Sequence, residues 1–264
     1  MTPSFPTKPK HNVAHMSRIF RSDEVQIGDR VVCRRSFGKP PHATHSDIIG
    51  HVTCLDPLRI RPQEVGGYPS SLPEVEVPAE QIYIIKKLSP RMVRNSDIRR
   101  VEALLAGFTP LDDADQLPAL STAASDSAAS DSVAASEVGQ PPVWTSNRQW
   151  LLTDSYAVPL GRAAGFEPVP EQEILDYYAA RGLPAAIRIP ERIGKPAERL
   201  IAGSNELPET LVFVPDSSDA TDLEATAIRE IAAVDLARIA AAQVEGLIEH
   251  HRVITVHYNT ALQL

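Results

Sequence analysis

Hydrophobic and polar positions alternate over short runs in the first third of the chain, the pattern of half-buried strands. Gly28-Asp29 marks a turn, and Arg30-Val31-Val32-Cys33-Arg34-Arg35 is the first β-rich run. A polar loop rich in Pro and His leads to Ile48-Ile49-Gly50-His51-Val52-Thr53-Cys54-Leu55. Leu58-Arg59-Ile60-Arg61, Val75-Glu76-Val77 and Gln81-Ile82-Tyr83-Ile84-Ile85 follow. Five short strands within segment 24–87 predict a small antiparallel barrel that closes its own edges. After Pro90 the period becomes helical. Asn95 or Ser96 caps a helix with Ile98, Val101, Leu104, Leu105 and Phe108 on one stripe and Gly107 near its end. That stripe is expected to pack against the barrel.

Further on the two periods mix. Trp150-Leu151-Leu152 and Tyr156-Ala157-Val158 read as strand pieces, and Glu171 to Arg181 as a helix ended by Gly182 and Pro184. Ala186-Ile187-Arg188-Ile189 and Thr210-Leu211-Val212-Phe213-Val214 read as strands. Asp222 to about Glu249 reads as the longest helix, with Ile228, Ile231, Ile239 and Leu247 inward, and Val253 to Tyr258 as a last strand. Alternating helix and strand predict an α/β or α+β unit.

Composition divides the chain. Segment 111–142 carries no basic or aromatic residue and repeats a five-residue unit, Ser125-Asp126-Ser127-Ala128-Ala129 and Ser130-Asp131-Ser132-Val133-Ala134. Such a stretch buries too little apolar surface to offset ordering its backbone, at roughly 1–2 kcal/mol per residue. The expected organisation is a disordered tail over 1–23, a barrel with its packing helix over 24–108, a disordered acidic Ser/Ala linker over 109–142 and an α/β domain over 143–264. Both Met1 and Met16 remain open as the start. The net charge of −8 splits unevenly: residues 1–108 hold 16 Lys/Arg against 11 Asp/Glu, and the rest hold 10 against 23. The barrel's cations, among them Arg34, Arg35, Arg59, Arg61, Lys86, Lys87, Arg91 and Arg94, raise the expectation of weak nucleic-acid binding that falls steeply with salt. With 23 prolines the elements should be short and often broken. No run reaches the roughly 18 apolar residues of a membrane helix. The 2 cysteines, Cys33 and Cys54, fit buried thiols of a reducing compartment, so a cytoplasmic protein is expected.

Candidate chemistry is sparse. His42, His45, His51 and Asp47 cluster in sequence but follow no metal-ligand spacing, so no metal site is expected. His250-His251 is expected at the C-terminus of the long helix, where an imidazolium meets the negative end of the dipole. Tyr177, Tyr178 and Tyr258 could serve as general acids, though packing with a wet hydroxyl suits each of them.

Three motifs in order carry a resemblance: Gly28-Asp29-Arg30-Val31-Val32, Asp47-Ile48-Ile49-Gly50, and Pro90-Arg91-Met92-Val93-Arg94-Asn95-Ser96-Asp97-Ile98-Arg99-Arg100-Val101-Glu102. They resemble the N-terminal SH3-like domain of actinobacterial acetyltransferases of the GNAT superfamily, some of them described as histone acetyltransferase-like. Trp150-Leu151-Leu152, Val158-Pro159-Leu160-Gly161 and Tyr178-Ala179-Ala180-Arg181-Gly182-Leu183-Pro184-Ala185 resemble the first half of the acetyltransferase domain in those proteins. Val253-Ile254-Thr255-Val256-His257-Tyr258-Asn259-Thr260-Ala261 resembles the strand and Asn that follow the family's cofactor-binding helix. The resemblance implies an α+β chain: a small SH3-like β-barrel followed by a helix, then a partial GNAT-like α/β domain. It implies N-acetyl transfer from acetyl-CoA to an amine.

The family holds the cofactor's pyrophosphate with a Q/R-x-x-G-x-G/A loop, whose backbone N–H groups lie beside a helix N-terminus. Arg162-Ala163-Ala164-Gly165-Phe166-Glu167 approaches that pattern but ends in Glu, and Gln243-Val244-Glu245-Gly246-Leu247-Ile248 ends in Ile near the end of a predicted helix. The approach to the long helix, Ser217 to Asp222, has no glycine and carries carboxylates. The chain stops at Leu264 without the family's closing helix and strands. The expectation is therefore a degenerate or truncated acetyltransferase domain. No catalytic or cofactor-binding residue can be named, and acetyl-CoA is the cofactor only if activity survives. The alternative is a non-catalytic binding or regulatory protein that engages a protein partner through the barrel.

Overall fold

The computed structural model describes residues 19–38, 42–108, 142–201, 207–216 and 223–258. Most of the expected tail, almost all of the expected linker, Ser217 to Asp222 and Asn259 to Ala261 lie outside them. The described residues form a mixed α+β structure with a five-stranded and a seven-stranded sheet and few helices. The chain divides into two compact units, Met1–Val93 and Arg94–Leu264.

The first unit follows the predicted strands closely. β1 (Arg30–Phe37), β2 (Thr44–Leu55), β3 (Leu58–Pro62), β4 (Val75–Val77) and β5 (Ile82–Lys87) lie in the order β4-β3-β2-β1-β5, every neighbouring pair antiparallel. Period-two alternation sends Val31 and Cys33 of β1 inward, onto Ile48, Val52, Leu58, Ile60 and Val77. Burial raises the Cys33 thiol pKa. The expected closure does not occur. β4 and β5 are the two edges of the sheet and do not pair with each other, since β4 has 3 residues and a 3₁₀ turn, Ala79–Gln81, intervenes. Two buried arginines hold the segment after β5. Arg30 donates to the carbonyls of Ser89 (3.0 Å) and Arg91 (3.2 Å) and to Gln63 Oε1 (2.6 Å), and Arg21 donates to the Leu88 carbonyl (3.3 Å).

The second unit begins with the helix that was expected to belong to the first. In α1 (Asn95–Leu105), Val101 is buried among Val212, Val214, Ile228 and Val253, and Ala103 among Leu151, Val158 and Leu160. The stripe was real, but its partner is the second sheet. The helix starts one residue early, with the Asp97 carboxylate accepting from the Arg94 N–H at 2.8 Å. The sheet comprises β6 (Val143–Trp144), β7 (Trp150–Leu152), β8 (Ala157–Pro159), β9 (Ala185–Pro190), β10 (Thr210–Pro215), β11 (Arg229–Ala232) and β12 (Leu247–Tyr258). Its order is β11-β10-β12-β9-β8-β7-β6, and β8 with β9 is the parallel pair. Between β8 and β9 run a 3₁₀ turn, Arg162–Gly165, and α2 (Glu171–Ala179).

The long helix expected over 222–249 is not formed. The described part divides into a 3₁₀ turn, Ala225–Ala227, β11, α3 (Leu236–Val244) and the start of β12. Asp235 caps α3, its carboxylate accepting from the Arg238 N–H at 3.1 Å, and Gly246 ends it at φ 79, a conformation that suits glycine. Sheet pairing with β10 overrides the helical propensity of the flanking residues.

Candidate functional site

The one parallel pair among the described residues points to where chemistry could be placed. β8 and β9 meet at Ala157↔Ile187, so their carboxyl ends point the same way. The turns that leave them lie together: a Cβ on Gly165 would stand 3.7 Å from the Ile193 carbonyl and 3.8 Å from that of Arg192. Open α/β sheets bind ligands at this end of such strands. The near-match Arg162–Glu167 therefore sits in the correct place for a phosphate loop, between a strand and the next helix.

Most of its backbone donors, however, are committed within the chain. Ala164 N–H donates to the Gly161 carbonyl, and both Phe166 and Glu167 N–H donate to that of Ala163. Gln149 takes the remaining approach: its Oε1 accepts from Ala163 N–H at 2.8 Å, and its carbonyl accepts from Gly161 N–H at 2.9 Å. Gly161 is needed there because a Cβ would lie 2.2 Å from Gln149 Oε1. The first turn of α2 carries Glu171 and Glu173. Glu173 accepts from Ser146 N–H (2.5 Å) and Oγ–H (2.8 Å), and Glu171 accepts from the Tyr258 hydroxyl at 2.8 Å. Carboxylates at a helix N-terminus satisfy the field that would otherwise hold an anion. The other near-match, Gln243–Ile248, lies at the C-terminal end of α3 and offers no helix N-terminus.

A charged cluster lies in the core of this unit, and it includes His250 and His251, which were expected at a helix C-terminus. They lie in β12, not at a helix end. Val212 pairs with His251 but Phe213 with Glu249, so His250 is the extra residue of a β-bulge. The bulge lets neighbouring imidazoles meet, their Nδ1 atoms 2.8 Å apart. His251 Nε2–H donates to Glu102 Oε1 at 2.7 Å, and Arg188 donates to the same carboxylate through Nε (2.5 Å) and Nη2 (2.9 Å). Arg188 also pairs with Glu230 at 2.7 Å and lies over the Tyr156 ring. Glu102 and His251 are 0% exposed.

Burial alone would raise the Glu102 carboxyl, but Arg188 and the His251 hydrogen bond hold it at about 2. Burial would likewise lower the Arg188 guanidinium, and Glu102 reverses this and raises it. Burial, with the charges of His251 and Arg192, pushes His250 down to about 3. Burial raises Tyr156 to about 12. With Nε2 of His251 committed to Glu102, its Nδ1 is left to face Nδ1 of His250. The chain Glu102–His251–His250 is buried. On the opposite face Arg252 pairs with Glu209 (2.7 Å) and Glu249 (3.0 Å).

The other singled-out residues do not converge. The Tyr178 hydroxyl donates to the Thr153 carbonyl at 2.9 Å, Tyr177 stacks under Arg181, and Tyr258 serves Glu171. Burial raises the pKa of Tyr178 and Tyr258. His51 is buried with Nε2 2.9 Å from the Gly67 carbonyl, His45 lies against Tyr83, and Asp47 pairs with Arg34. Most basic residues of the first sheet meet carboxylates: Arg34 with Asp47, Arg59 with Glu76, Arg61 with Glu74, and Lys87 with Asp23 and Asp29. No helix among the described residues is long and apolar enough to cross a membrane. In comparisons with known protein families, with curated protein sequences and with solved structures, nothing matches this chain.

Proposed function

We propose that this is a non-catalytic binding or regulatory protein in which a GNAT-like second unit serves as a scaffold and the SH3-like first unit as the interaction module. One observation carries the reading. The turn after β8, where acetyl-CoA phosphates would need free N–H groups, is closed by Gln149 and followed by two glutamates at the start of α2. An anion brought there would displace satisfied hydrogen bonds and face like charge. The first unit offers a protein partner a groove of ≈ 630 Å³ that Val65, Leu72 and Met92 line. All three side chains are exposed, Val65 at 91%.

Acetyl-CoA at 100 times its dissociation constant would stabilise the fold by about 2.7 kcal/mol, a readily measured rise in melting temperature. The expected result at millimolar acetyl-CoA is no rise and no acetylation of simple amines. A rise would overturn the reading.

The second reading, an acetyl-CoA-dependent N-acetyltransferase, is favoured by Arg99. Its Nη2 donates to the Arg162 carbonyl at 3.2 Å, while its buried Nε has no partner. Burial, and then the charge of Arg162, lower its pKa. Two guanidinium groups beside the turn would welcome phosphate through side chains instead of backbone. If acetyl-CoA does raise the melting temperature, Arg99→Ala should cancel the rise.

A further inference from the structure

We infer that the outer face of α3 is a self-association surface and that its occupant is a second copy of this chain. The helix packs on its own sheet through Ala242 and Ile239, against Leu211, Phe213 and Ile231. A surface helix with that inner stripe should be polar outside. Instead Leu236, Ala237, Ala240, Ala241 and Val244 are all exposed, Leu236 at 74% and Val244 at 89%. At about 100° per residue they fill an arc of ~140° directed away from the sheet. Val234, 82% exposed, extends the face past the N-cap. Arg238 and Gln243 are the only polar residues of the helix.

The sequence of the face is complementary to itself. Placing a two-fold axis at Ala240 sets Leu236 of one copy against Val244 of the other, and the alanines in the centre permit close approach of two antiparallel helices. Arg238 near the start and Glu245 after the end lie on the same flank of the apolar arc. Neither meets an opposite charge among the described residues. In the antiparallel pair that flank of one copy runs beside the same flank of the other. Arg238 then reaches Glu245 of the second copy twice over, whereas a parallel pair would put the two charged flanks on opposite edges of the contact and form neither pair. The helices are ~13 Å long. Their contact is smaller than the ~1,200–2,000 Å² of a standard stable interface, so the association is weak and set by concentration.

Sedimentation velocity from micromolar to millimolar protein tests this. The full chain should pass from monomer to dimer, and Ala240→Glu should remain monomeric throughout with an unchanged melting curve at low concentration. Arg238→Glu and Glu245→Arg should each weaken the dimer at least threefold, and combining them should restore it. A full chain that stays monomeric, or a dimer that survives Ala240→Glu, would overturn the assignment and give the face to another partner. Restoration by the double charge swap separates a built antiparallel contact from general stickiness. These outcomes are independent of acetyl-CoA, so they can fail without bearing on the proposed function.

Discussion

Arginine meets carboxylate in both sheets, but on opposite terms. On the first sheet, Arg34 with Asp47 and Arg59 with Glu76 join neighbouring strands, and Arg61 of β3 meets Glu74 just before β4, with side chains roughly a third to a half exposed. Water solvates such pairs almost as well apart as together. In the second unit Arg188 and Glu102 meet at 2.5 Å with 6% and 0% of their side chains exposed. There each group is tolerable only because the other is present. The same two residue types thus decorate one unit and fasten α1 to β9 in the other.

Breaking the buried pair should give the largest effect. Glu102→Ala leaves Arg188 without its main counter-charge and His251 without its acceptor, and should cost about 3–5 kcal/mol in urea denaturation. Arg188→Met should cost a similar amount. A loss below about 1 kcal/mol for both would show that the interior tolerates either charge alone, and the contrast between the units would disappear.

Acid should reach the second unit by the same route. Glu102 is held at about 2 against an ordinary 4.5, so its contribution is present above 4.5 and lost as pH falls towards 2. His250 is held at about 3 against 6.5, so below 6.5 the unfolded chain takes up a proton that the folded one refuses. Both signs agree: stability falls on acidification, beginning near 6.5 and steepening below 4.5. His250→Gln should flatten the upper part of that fall. Hydrogen exchange resolved by residue should show the second sheet loosening first, and simultaneous loosening of the first sheet would contradict this.

The two regions were also unequally legible. Period-two alternation placed all five strands of the first sheet, because each was a short run bounded by turns. It could not show that β4 and β5 remain edges, since closure depends on strand lengths and crossing geometry. The α1 stripe was visible, but its partner was not, because amphipathicity names a buried face and never the surface that buries it. A signal for the cluster did exist. Ile98, Val101, Glu102 and Leu105 follow helical spacing, so Glu102 lies on the apolar stripe, and Arg188 interrupts the wholly buried strand Ala185–Pro190. A charge at a core position predicts a partner. The His250 bulge had no such signal, because it arises from pairing with β10. The helical run after Asp222 misled because Ile228, Ile231, Ile239 and Leu247 do all face the core, but from the turn before β11, from β11, from α3 and from β12 in turn, not from one helix.

The helix offers a test of intermediate size. Val101→Ala removes two methyl groups from the cluster with Val212, Val214 and Val253, and should cost on the order of 2 kcal/mol. The loss should register in hydrogen exchange of β10 and β12 and leave β1 and β2 unchanged. If β1 and β2 responded instead, the helix would belong with the first sheet, as its sequence position suggested.

The smallest effect belongs to the surface. Arg59 Nε and Glu76 Oε2 are 3.2 Å apart, and the two side chains are 47% and 56% exposed. Either side chain gives up rotamer freedom to hold the contact, and salt at physiological strength screens what remains. A double-mutant cycle with Arg59→Ala and Glu76→Ala should return a coupling below about 1 kcal/mol, shrinking further in high salt. The corresponding cycle on Arg188 and Glu102 should return several times more and change little with salt, because no counter-ion reaches a buried pair. Equal couplings would mean that the first sheet holds its charges as tightly as the core does. β3 and β4 would then owe their register to Arg59 and Glu76, when Leu58 and Val77 packed beneath them are the residues expected to set it.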